Sequence, residues 1–503
     1  MKKAYLFALI LVWVLNSANV FAQTQVSDTV KTNDVWQLGN SPYQITSDVI
    51  VDEGVTLTIE AGVEVQFDAG TSLIVDGALV ADGTATDSVL FTSSSASPAP
   101  GDWVTIRFNN TSDVGSVLDH AILEYGGSGS GGSLVSYATG AYGFDITNSE
   151  FKFSNRHGIA LRASSPFIQY SVFRDNAGYG IYSDLALNYE VDSSTIIRNT
   201  QGGIRVPINS APTITSSTID TNGVGIYMDN GSTAEVRYNN IRENNTGVRV
   251  IEAGTNSPII EDNTFGNNSN WALINEGSSL VEAEYNYWGK PTGPTAISNP
   301  TGTGDDVSSN IDFDPWLSGS GTLPVKEITS NPLDGDVWTA DTVYVIANGI
   351  TLPQNDTLTI APGTAVKFQN QVSFEIDGTL IADGKPDSVI VFTSLKSDIY
   401  GGDTNQDARN SKPAPGDWRG LDLTDYNTGS IFDFVNVSYA GYSSTPALKV
   451  SQNNVSLSNM FLDNNNDIGI QISGVPTVFR NIVSNANNSH GIQMRNITAD
   501  LDS

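Results

Sequence analysis

The sequence predicts an all-β chain that winds as a right-handed, single-stranded parallel β-helix, a solenoid in which each coil stacks on the previous one. Three observations lead to this prediction. Short apolar segments recur every 22 to 24 residues between residues 151 and 265, each is followed by an Asn, and none has helical periodicity. A long segment also occurs twice, which predicts two tandem β-helix units, the second truncated.

The first 22 residues predict a secretory signal peptide. Lys2 and Lys3 precede an apolar run from Ala4 to Leu15, and the small residue Ala22 closes a cleavage pattern. The apolar run is too short to span a bilayer. We therefore expect cleavage near Ala22, a secreted or cell-surface protein, and no transmembrane segment in the mature chain.

Charge and cysteine content restrict the classes of partner. The chain has 24 Lys and Arg against 55 Asp and Glu, a formal net charge of −31, and no Cys. This charge repels phosphates, so it argues against nucleic acids and anionic membranes, and against acidic polysaccharides unless a divalent cation bridges them. Without disulfides, an exported chain depends on its ladders of hydrogen bonds and on a long apolar core.

A duplicated segment determines the predicted domain organisation. The hexapeptide PAPGDW occurs at 98–103 and again at 413–418. Before it, VDGALVADG at 75–83 matches IDGTLIADG at 376–384, at an offset of 301 residues. The offset at PAPGDW is 315, so the second copy contains 14 additional residues. We interpret the repeat as a duplicated shell, with Trp103 and Trp418 as part of its frame.

The predicted boundaries follow from these repeats. In order, they are a signal peptide at 1–22, a first β-helix domain at 28–318, a linker at 319–333 and a second, incomplete β-helix domain at 334–503. The first domain is subdivided into an opening module at 34–126, a coil array at 143–280 and a closing segment at 284–317. Because coils have resumed before Ser503, we expect the second domain to continue in a longer protein.

The coil array predicts three stacks of side chains. Leading apolar residues should face inward: Phe151, Phe173, Ile196, Ile219, Ile241 and Phe265. An Asn in each following turn, where left-handed backbone is tolerated, should bond to the next coil: Asn155, Asn176, Asn199, Asn222, Asn244 and Asn268. A second apolar row is Ile159, Ile181, Ile204, Ile226, Val248 and Ala272. Leucine-rich repeats share the period, but they need regularly spaced Leu and a helical flank.

The sequence resembles secreted right-handed parallel β-helix proteins of the pectate-lyase-like superfamily, particularly large surface proteins of bacteria. Three stretches carry the resemblance: LTIEAGVEVQF to PAPGDW, the coil array, and EYNYWGKPTGP to FDPWL at 284–317. The resemblance implies this fold and a secreted or outer-surface location. It implies no single function, because the scaffold hosts lyases, hydrolases, epimerases, adhesins and stalks.

No catalytic residue is predicted. The His residues at 120, 157 and 490 have no evident nucleophile partner, and Asp305-Asp306 lacks the clustered Asp, His and Lys that polygalacturonase-like hydrolysis needs. We therefore favour a monomeric, non-catalytic secreted or cell-surface protein for adhesion, glycan binding or structural display, with a polysaccharide or cell-surface glycan as partner. The alternative is a polysaccharide lyase, glycoside hydrolase or epimerase.

A row on the outer face of the array is a candidate glycan-binding stripe. The residues that directly follow the second apolar row are Ala160, Tyr182, Arg205, Tyr227, Arg249 and Leu273. Alternation places them outward and one coil apart, about 4.8 Å from each other. We predict that Tyr182, Arg205, Tyr227 and Arg249 bind substrate through stacking and hydrogen bonds. Cation–π contacts that only stabilise the sheet are the alternative.

The 14 additional residues of the second copy contain a candidate Ca²⁺ site. Asp403, Asn405 and Asp407 place oxygen ligands at every second residue, and Asp398 can add another. The resemblance supports this hypothesis, since related modules carry a GGDTNGDG-like loop here. This chain has Gln406 and Ala408 in place of two glycines, and Ala414 where a bidentate Glu would follow. The alternative is an ordinary acidic surface loop.

Overall fold

The structure is a computed structural model that describes residues 23–495, except 110–114, 130, 138–143, 163, 185–187, 209, 254–256, 320–322, 387, 408–409, 428 and 452–453. The predicted signal peptide lies outside the described residues. The chain divides into two compact units, one ending at Phe167 and one beginning at Ile168. The linker at 319–333 and the tandem domains that it separates stay predictions.

The strands of the first unit form three parallel sheets. The first sheet contains Thr24–Val26, Tyr43–Ile45, Glu64–Phe67, Val89–Ser93, Ala121–Glu124 and Glu150–Lys152. The second contains Val49–Val51, Ser72–Val75, Thr105–Phe108, Gly132–Ser136 and His157–Leu161. The third contains Asp34–Trp36, Thr56–Ile59, Ala78–Asp82, Val117–Asp119 and Asp145–Thr147. A 3₁₀ turn spans Leu38–Asn40.

The second unit begins with three parallel sheets of the same kind. One contains Val172–Arg174, Thr195–Ile197, Thr218–Asp220, Asn240–Arg242 and Thr264–Gly266. Another contains Tyr179–Ser183, Gly202–Val206, Val224–Met228, Thr246–Val250 and Trp271–Asn275. The third contains Phe167–Gln169, whose first residue is the last of the first unit, and Glu190–Asp192, Thr213–Thr215, Glu235–Arg237, Ile259–Glu261, Val281–Glu282 and Ile311–Asp312. Pro294–Thr295 pairs with Gly304–Asp306.

From residue 325 onward the strands form two further parallel sheets. The larger contains Val325–Ile328, Asp336–Trp338, Val343–Ile346, Thr357–Ile360, Ala365–Phe368, Thr379–Asp383, Ile390–Ser394, Ile431–Ser438, Ser456–Asp463 and Val478–Asn485. The smaller contains Ile350–Leu352, Ser373–Ile376, Gly420–Leu423, Leu448–Val450, Ile470–Ile472 and Ile492–Met494. A 3₁₀ turn spans Tyr442–Ser444.

The inward stack of leading apolar residues is confirmed. Phe173 pairs in register with Ile196, Ile196 with Ile219, and the row continues through Ile241 to Phe265. All of these side chains are fully buried. Since side chains alternate between the two faces of a strand, one inward residue on each short strand is enough to form a continuous stack along its sheet. The predicted all-β parallel solenoid is therefore confirmed for the described residues, among which no α-helix occurs.

The second apolar row is confirmed except in its last coil. Ile181, Ile204, Ile226 and Val248 are aligned and fully buried. Opposite Val248 the structure places Leu273 rather than Ala272. The prediction is wrong there because the turn that precedes this strand is one residue longer than the turn before Val248.

The predicted Asn ladder is present, with one correction. Asn199 donates from its backbone N–H and from Nδ2 to Oδ1 of Asn222, both at 3.0 Å, and its Nδ2 also bonds to the carbonyl of Phe173 at 3.0 Å. Each such Asn therefore links three coils. Ser154, not Asn155, occupies the equivalent buried position, because it follows the inward Phe151 by three residues as the other ladder members follow theirs.

The left-handed backbone lies one residue earlier than predicted. It is adopted by the residue before each ladder Asn, as at Asp175, Arg198 and Thr221, with φ of 56°, 53° and 53°. Such a φ is uncommon for residues other than Gly, and the ladder bonds on the following residue stabilise it. At its far end the ladder meets a carboxylate, because Asn268 donates from its backbone N–H to Asp305 at 2.8 Å.

A second ladder, which the sequence reading missed, lies in the turns before the strands that carry the leading apolar residues, whereas the first lies in the turns after them. Ser194 donates its backbone N–H to Ser217 at 3.1 Å, and Ser217 donates to Asn239 at 2.9 Å. The series continues from Asn239 to Asn263 and from Asn263 to Asn286, at 3.0 and 2.9 Å. A Ser or Asn two residues before each leading apolar residue was the available signal.

Candidate functional site

The register of one sheet places the four predicted stripe residues in a single row. Tyr182 is opposite Arg205, Arg205 opposite Tyr227, and Tyr227 opposite Arg249. The row continues to Ile274, not to the predicted Leu273, which lies in the buried core. Ala160, the other flanking residue, is also fully buried.

Each arginine of the row is held from both sides. The guanidinium of Arg205 lies 4.9 Å from the ring centroid of Tyr182, and that of Arg249 lies 5.6 Å from the ring of Tyr227. Arg205 Nη2 is also 2.5 Å from Asp229 Oδ2. Each contact links neighbouring coils, so the cation–π network that was the alternative interpretation is present.

The second arginine of the row is ion-paired as well. Arg249 Nη2 is 2.8 Å from Glu276 Oε1, so both arginines of the row are ion-paired. The Arg205 and Arg249 side chains remain 23% and 39% exposed, which leaves room for hydrogen bonds to a ligand. Both side chains can therefore donate hydrogen bonds to a ligand.

The insertion of the second copy gathers the predicted metal ligands. Carboxylate oxygens of Asp398, Asp403 and Asp407 all lie within 4.8 Å of one another. Asp398 is buried, whereas the other two are partly exposed. Asp407 donates its backbone N–H to Asp403 Oδ1 at 3.1 Å, which curls the loop around the carboxylates.

Asn405 completes the oxygen-rich loop. Its Nδ2 donates to Asp407 Oδ2 at 2.9 Å and to Ser411 Oγ at 3.0 Å. The side-chain amide oxygen of Asn405, Oδ1, is buried and makes no hydrogen bond within the described part of the chain. Three converging carboxylates and an orphaned amide oxygen are donors that Ca²⁺ prefers, so the residues present fit this ion.

Lys367, which the sequence reading missed, lies beneath the same loop. Its side chain is fully buried, and its Nζ donates to the Gly402 carbonyl at 2.8 Å and to the Thr404 hydroxyl. Burial lowers the pKa of Lys367 to about 8, against the opposing charges of Asp398 and Asp403. An available signal was Gln66, which occupies the matching position 301 residues earlier in the first copy.

The insertion also packs on an apolar patch outside the main core. Val343, Val345 and Ala365 form a separate buried cluster, against which Tyr400 of the insertion and the preceding Leu395 pack. In the first copy the matching positions are Pro42, Gln44 and Glu64. Gln44 and Glu64 are polar, so the first copy has no such apolar cluster at these positions. The exchange of polar for apolar residues explains why the insertion covers this face.

The insertion contacts the end of the predicted first domain as well. The backbone N–H of Ser318 donates to the carbonyl of Ile399 at 3.2 Å. The loop that carries the carboxylates therefore spans from the closing segment to the strands near Val343.

A carboxylate–imidazole pair occurs in the first unit. His120 Nδ1 lies 3.0 Å from Asp119 Oδ2, while Thr147 and Asn148 donate to Asp119 Oδ1 at 2.6 and 2.8 Å. The sequence reading set His120 aside for lack of a partner. The αL backbone of His120, with φ of 47°, turns the ring toward Asp119.

Two family models match the chain. Residues 29–139 match the pectate-lyase-like β-helix domain, and residues 134–286 match the right-handed β-helix region. A search of curated proteins found no match. Among the described residues, no helix has the length and apolar character needed to cross a membrane.

The chain also has distant matches among solved structures. A variant of the PL6-family alginate lyase AlyGC is 12% identical, with 95% of this chain and 98% of that chain covered and a TM-score of 0.22. A tailspike protein of the E. coli bacteriophage HK620, solved with a pentasaccharide, is 9% identical, with 88% and 73% covered and a TM-score of 0.18. These similarities are too low to carry an argument about function.

Proposed function

We propose that this chain, in which residues 29–286 form a right-handed β-helix of the pectate-lyase-like type, is a non-catalytic protein that binds a polysaccharide or a cell-surface glycan. The observation that supports it most is the stripe of Tyr182, Arg205, Tyr227 and Arg249. Its tyrosine rings can stack on sugars, and its exposed guanidinium edges can donate to hydroxyl groups. Both arginines are ion-paired, which holds their guanidinium groups in place for binding.

The test is binding of the full chain to an array of plant, algal and bacterial glycans. We expect Arg205→Ala and Arg249→Ala each to weaken binding about tenfold, the loss of one good hydrogen-bonded contact. Arg237→Ala is the matched control, because Arg237 is also paired across coils, to Glu261 at 2.6 Å, but on another sheet. Equal losses in all three variants would contradict the stripe as the binding surface.

The alternative function is a polysaccharide lyase, glycoside hydrolase or epimerase, and the Asp119–His120 pair favours it. A carboxylate that orients an imidazole is an arrangement that general acid–base catalysis uses. Pectate and alginate incubated with the protein and Ca²⁺ should give no unsaturated product by ultraviolet absorbance. Turnover that disappears in His120→Ala but survives in His157→Ala would establish the alternative instead.

We further propose that Asp398, Asp403, Asn405 and Asp407 bind one Ca²⁺. A divalent ion would balance the clustered carboxylates and tie the insertion to both Ser318 and the apolar patch. After chelator treatment, calorimetric titration of the full chain with CaCl₂ should show a site that the double variant Asp403→Asn/Asp407→Asn lacks. An unchanged isotherm in that variant would place the ion elsewhere.

Secretion, an outer-surface location and a monomeric state belong to the same proposal. The support is the segment from Lys2 to Ala22, which has the charge and apolar pattern of a signal peptide. Expression in a host with a Sec pathway should give an exported protein whose N-terminus is Gln23, as mass spectrometry can establish. Light scattering at the mass of a dimer would contradict the monomer.

A further inference from the structure

A cleft of about 310 Å³ lies where the insertion meets the strands of the second copy. The end of strand Ala365–Phe368 forms one wall, together with Gln369 and Asn370. Lys396 and Asp417 form another wall, and the insertion contributes Asn405 and Ser411. The cleft is distinct from the glycan stripe, which lies on strands 179–250.

The polar groups of the cleft have unused hydrogen-bonding capacity. The side-chain amides of Gln369 and Asn370 make no hydrogen bond to other described residues. Lys396 Nζ makes one bond, to Asp417 Oδ1 at 2.8 Å, and the lysine side chain is 38% exposed. An ammonium group has three donors, so two remain for a ligand.

The charges of the cleft cancel, although the chain as a whole is strongly acidic. Lys396 and Asp417 neutralise each other, and the two amides carry no charge. The second oxygen of Asp417 is taken, since it accepts from Ser394 Oγ at 2.7 Å and from the backbone N–H of Ala414 at 3.0 Å. A ligand therefore meets donors and amide acceptors without a net charge, which suits hydroxyl groups better than carboxylates.

The size and the floor of the cleft suit one sugar ring. Its volume is at the lower end of the range of about 300 to 1,000 Å³ that small-molecule sites occupy. Leu395, which is partly exposed, supplies an apolar side chain to the lining, against which the C–H face of a sugar can pack. In the first copy, Asp68, Ala69 and Ser95 stand in place of Gln369, Asn370 and Lys396, and the insertion wall is missing.

We propose that this cleft binds one neutral, hydroxyl-rich sugar unit of a glycan chain. The proposal rests on the glycan-binding function proposed above and adds a second contact point and a sugar class. Gln369, Asn370 and Lys396 donate to ring hydroxyls, and the amide oxygens accept from them. Because Asn405 bonds to Asp407, the carboxylate loop determines the position of one cleft wall.

The experiment is a titration of the full chain, with Ca²⁺ present, by two sets of oligosaccharides. The neutral set is gluco-, xylo- and mannohexaose, and the acidic set is galacturonate and mannuronate hexamers. We expect a neutral hexamer to bind in the millimolar range or tighter, and Gln369→Ala/Asn370→Ala to weaken it about tenfold. Lys396→Ala should weaken it by a similar factor, whereas Ser95→Ala, at the matching position of the first copy, should not.

Three results would overturn the proposal: neutral hexamers that do not bind, preferential binding of the uronates, or cleft variants that bind like the parent. Melting temperatures of the variants show whether a loss of binding reflects unfolding. If binding disappears only in Arg205→Ala and Arg249→Ala, the glycan-binding function stands and the cleft is wrong. If no glycan binds in either experiment, both proposals fail.

Discussion

The two PAPGDW corners of the molecule have the same frame and different surroundings. Trp103 stacks on Phe67 with ring centroids 4.2 Å apart, and Trp418 stacks on Phe368 at 3.9 Å. Both indole N–H groups donate to a backbone carbonyl, at 2.9 and 2.8 Å. The duplicated hexapeptide is therefore a structural corner in both places.

The aspartates of the two corners make the same hydrogen bond to a serine, but only one of them is ion-paired. Asp102 accepts from Ser93 Oγ at 2.7 Å, and Asp417 accepts from Ser394 Oγ at 2.7 Å. Only Asp417 also pairs with a lysine, Lys396. The corner is therefore a support common to both copies, whereas the ion pair with Lys396 occurs only beside the insertion of the second copy.

The largest effect should come from the shared frame. Trp103→Ala and Trp418→Ala each remove a fully buried indole, so each should lower the free energy of unfolding by about 3 to 5 kcal/mol. Denaturant unfolding of the full chain measures both. If the loss of unfolding free energy at one corner is smaller than the loss at the other by more than about 2 kcal/mol, the two Trp residues are not equivalent.

The next effect should depend on pH, because Lys367 has no counterpart in the first copy. Its pKa of about 8 in the folded chain lies below the ordinary value of 10.5, so above pH 8 the unfolded chain binds the extra proton. Stability should therefore rise with pH between about 8 and 10.5, by at most about 3 kcal/mol.

The control for this prediction is Lys367→Gln, which installs the residue found at position 66. The difference in unfolding free energy between parent and variant, followed in chelator from pH 7.5 to 9.5, isolates the lysine from tyrosine ionisation. A difference that does not change with pH, or that changes in favour of the variant as pH rises, contradicts the assignment.

The smallest effect should come from the ion pair at the second corner. Lys396 is partly exposed, so Lys396→Ala should cost at most about 1 kcal/mol of stability. Ser95→Ala at the first corner should cost less still. Thermal unfolding of both variants, compared with the parent, measures this difference, and a larger loss for Ser95→Ala would reverse the expected order.

Most of the coil architecture could be predicted because it repeats. Phe173, Ile196 and Ile219 recur at nearly constant spacing, and a solenoid can bury such residues only by stacking them. The errors at Asn155 and Ala272 are shifts of one residue. The error at Ala272 arises because turn length varies between coils, and the error at Asn155 arises because a Ser, not an Asn, occupies the ladder position three residues after Phe151.

The candidate site was predictable only in part. Asp403, Asn405 and Asp407 are close in sequence, so their spacing alone indicates a shared ligand. Lys367 is remote from them along the chain, and its role depends on which strand face the insertion covers. The pairing of Arg205 with Asp229 and of Arg249 with Glu276 likewise depends on how coils are aligned, which fixes the distances between side chains.

The most direct test of Ca²⁺ binding by the insertion is hydrogen–deuterium exchange of the full chain with and without millimolar Ca²⁺. The two corners provide an internal comparison in one molecule, since residues 395–417 contain the insertion and residues 94–102 do not. The account predicts slower exchange at 395–417 on adding Ca²⁺, no change at 94–102, and no protection in Asp403→Asn/Asp407→Asn. Equal protection of both corners, or protection that persists in the double variant, would contradict it.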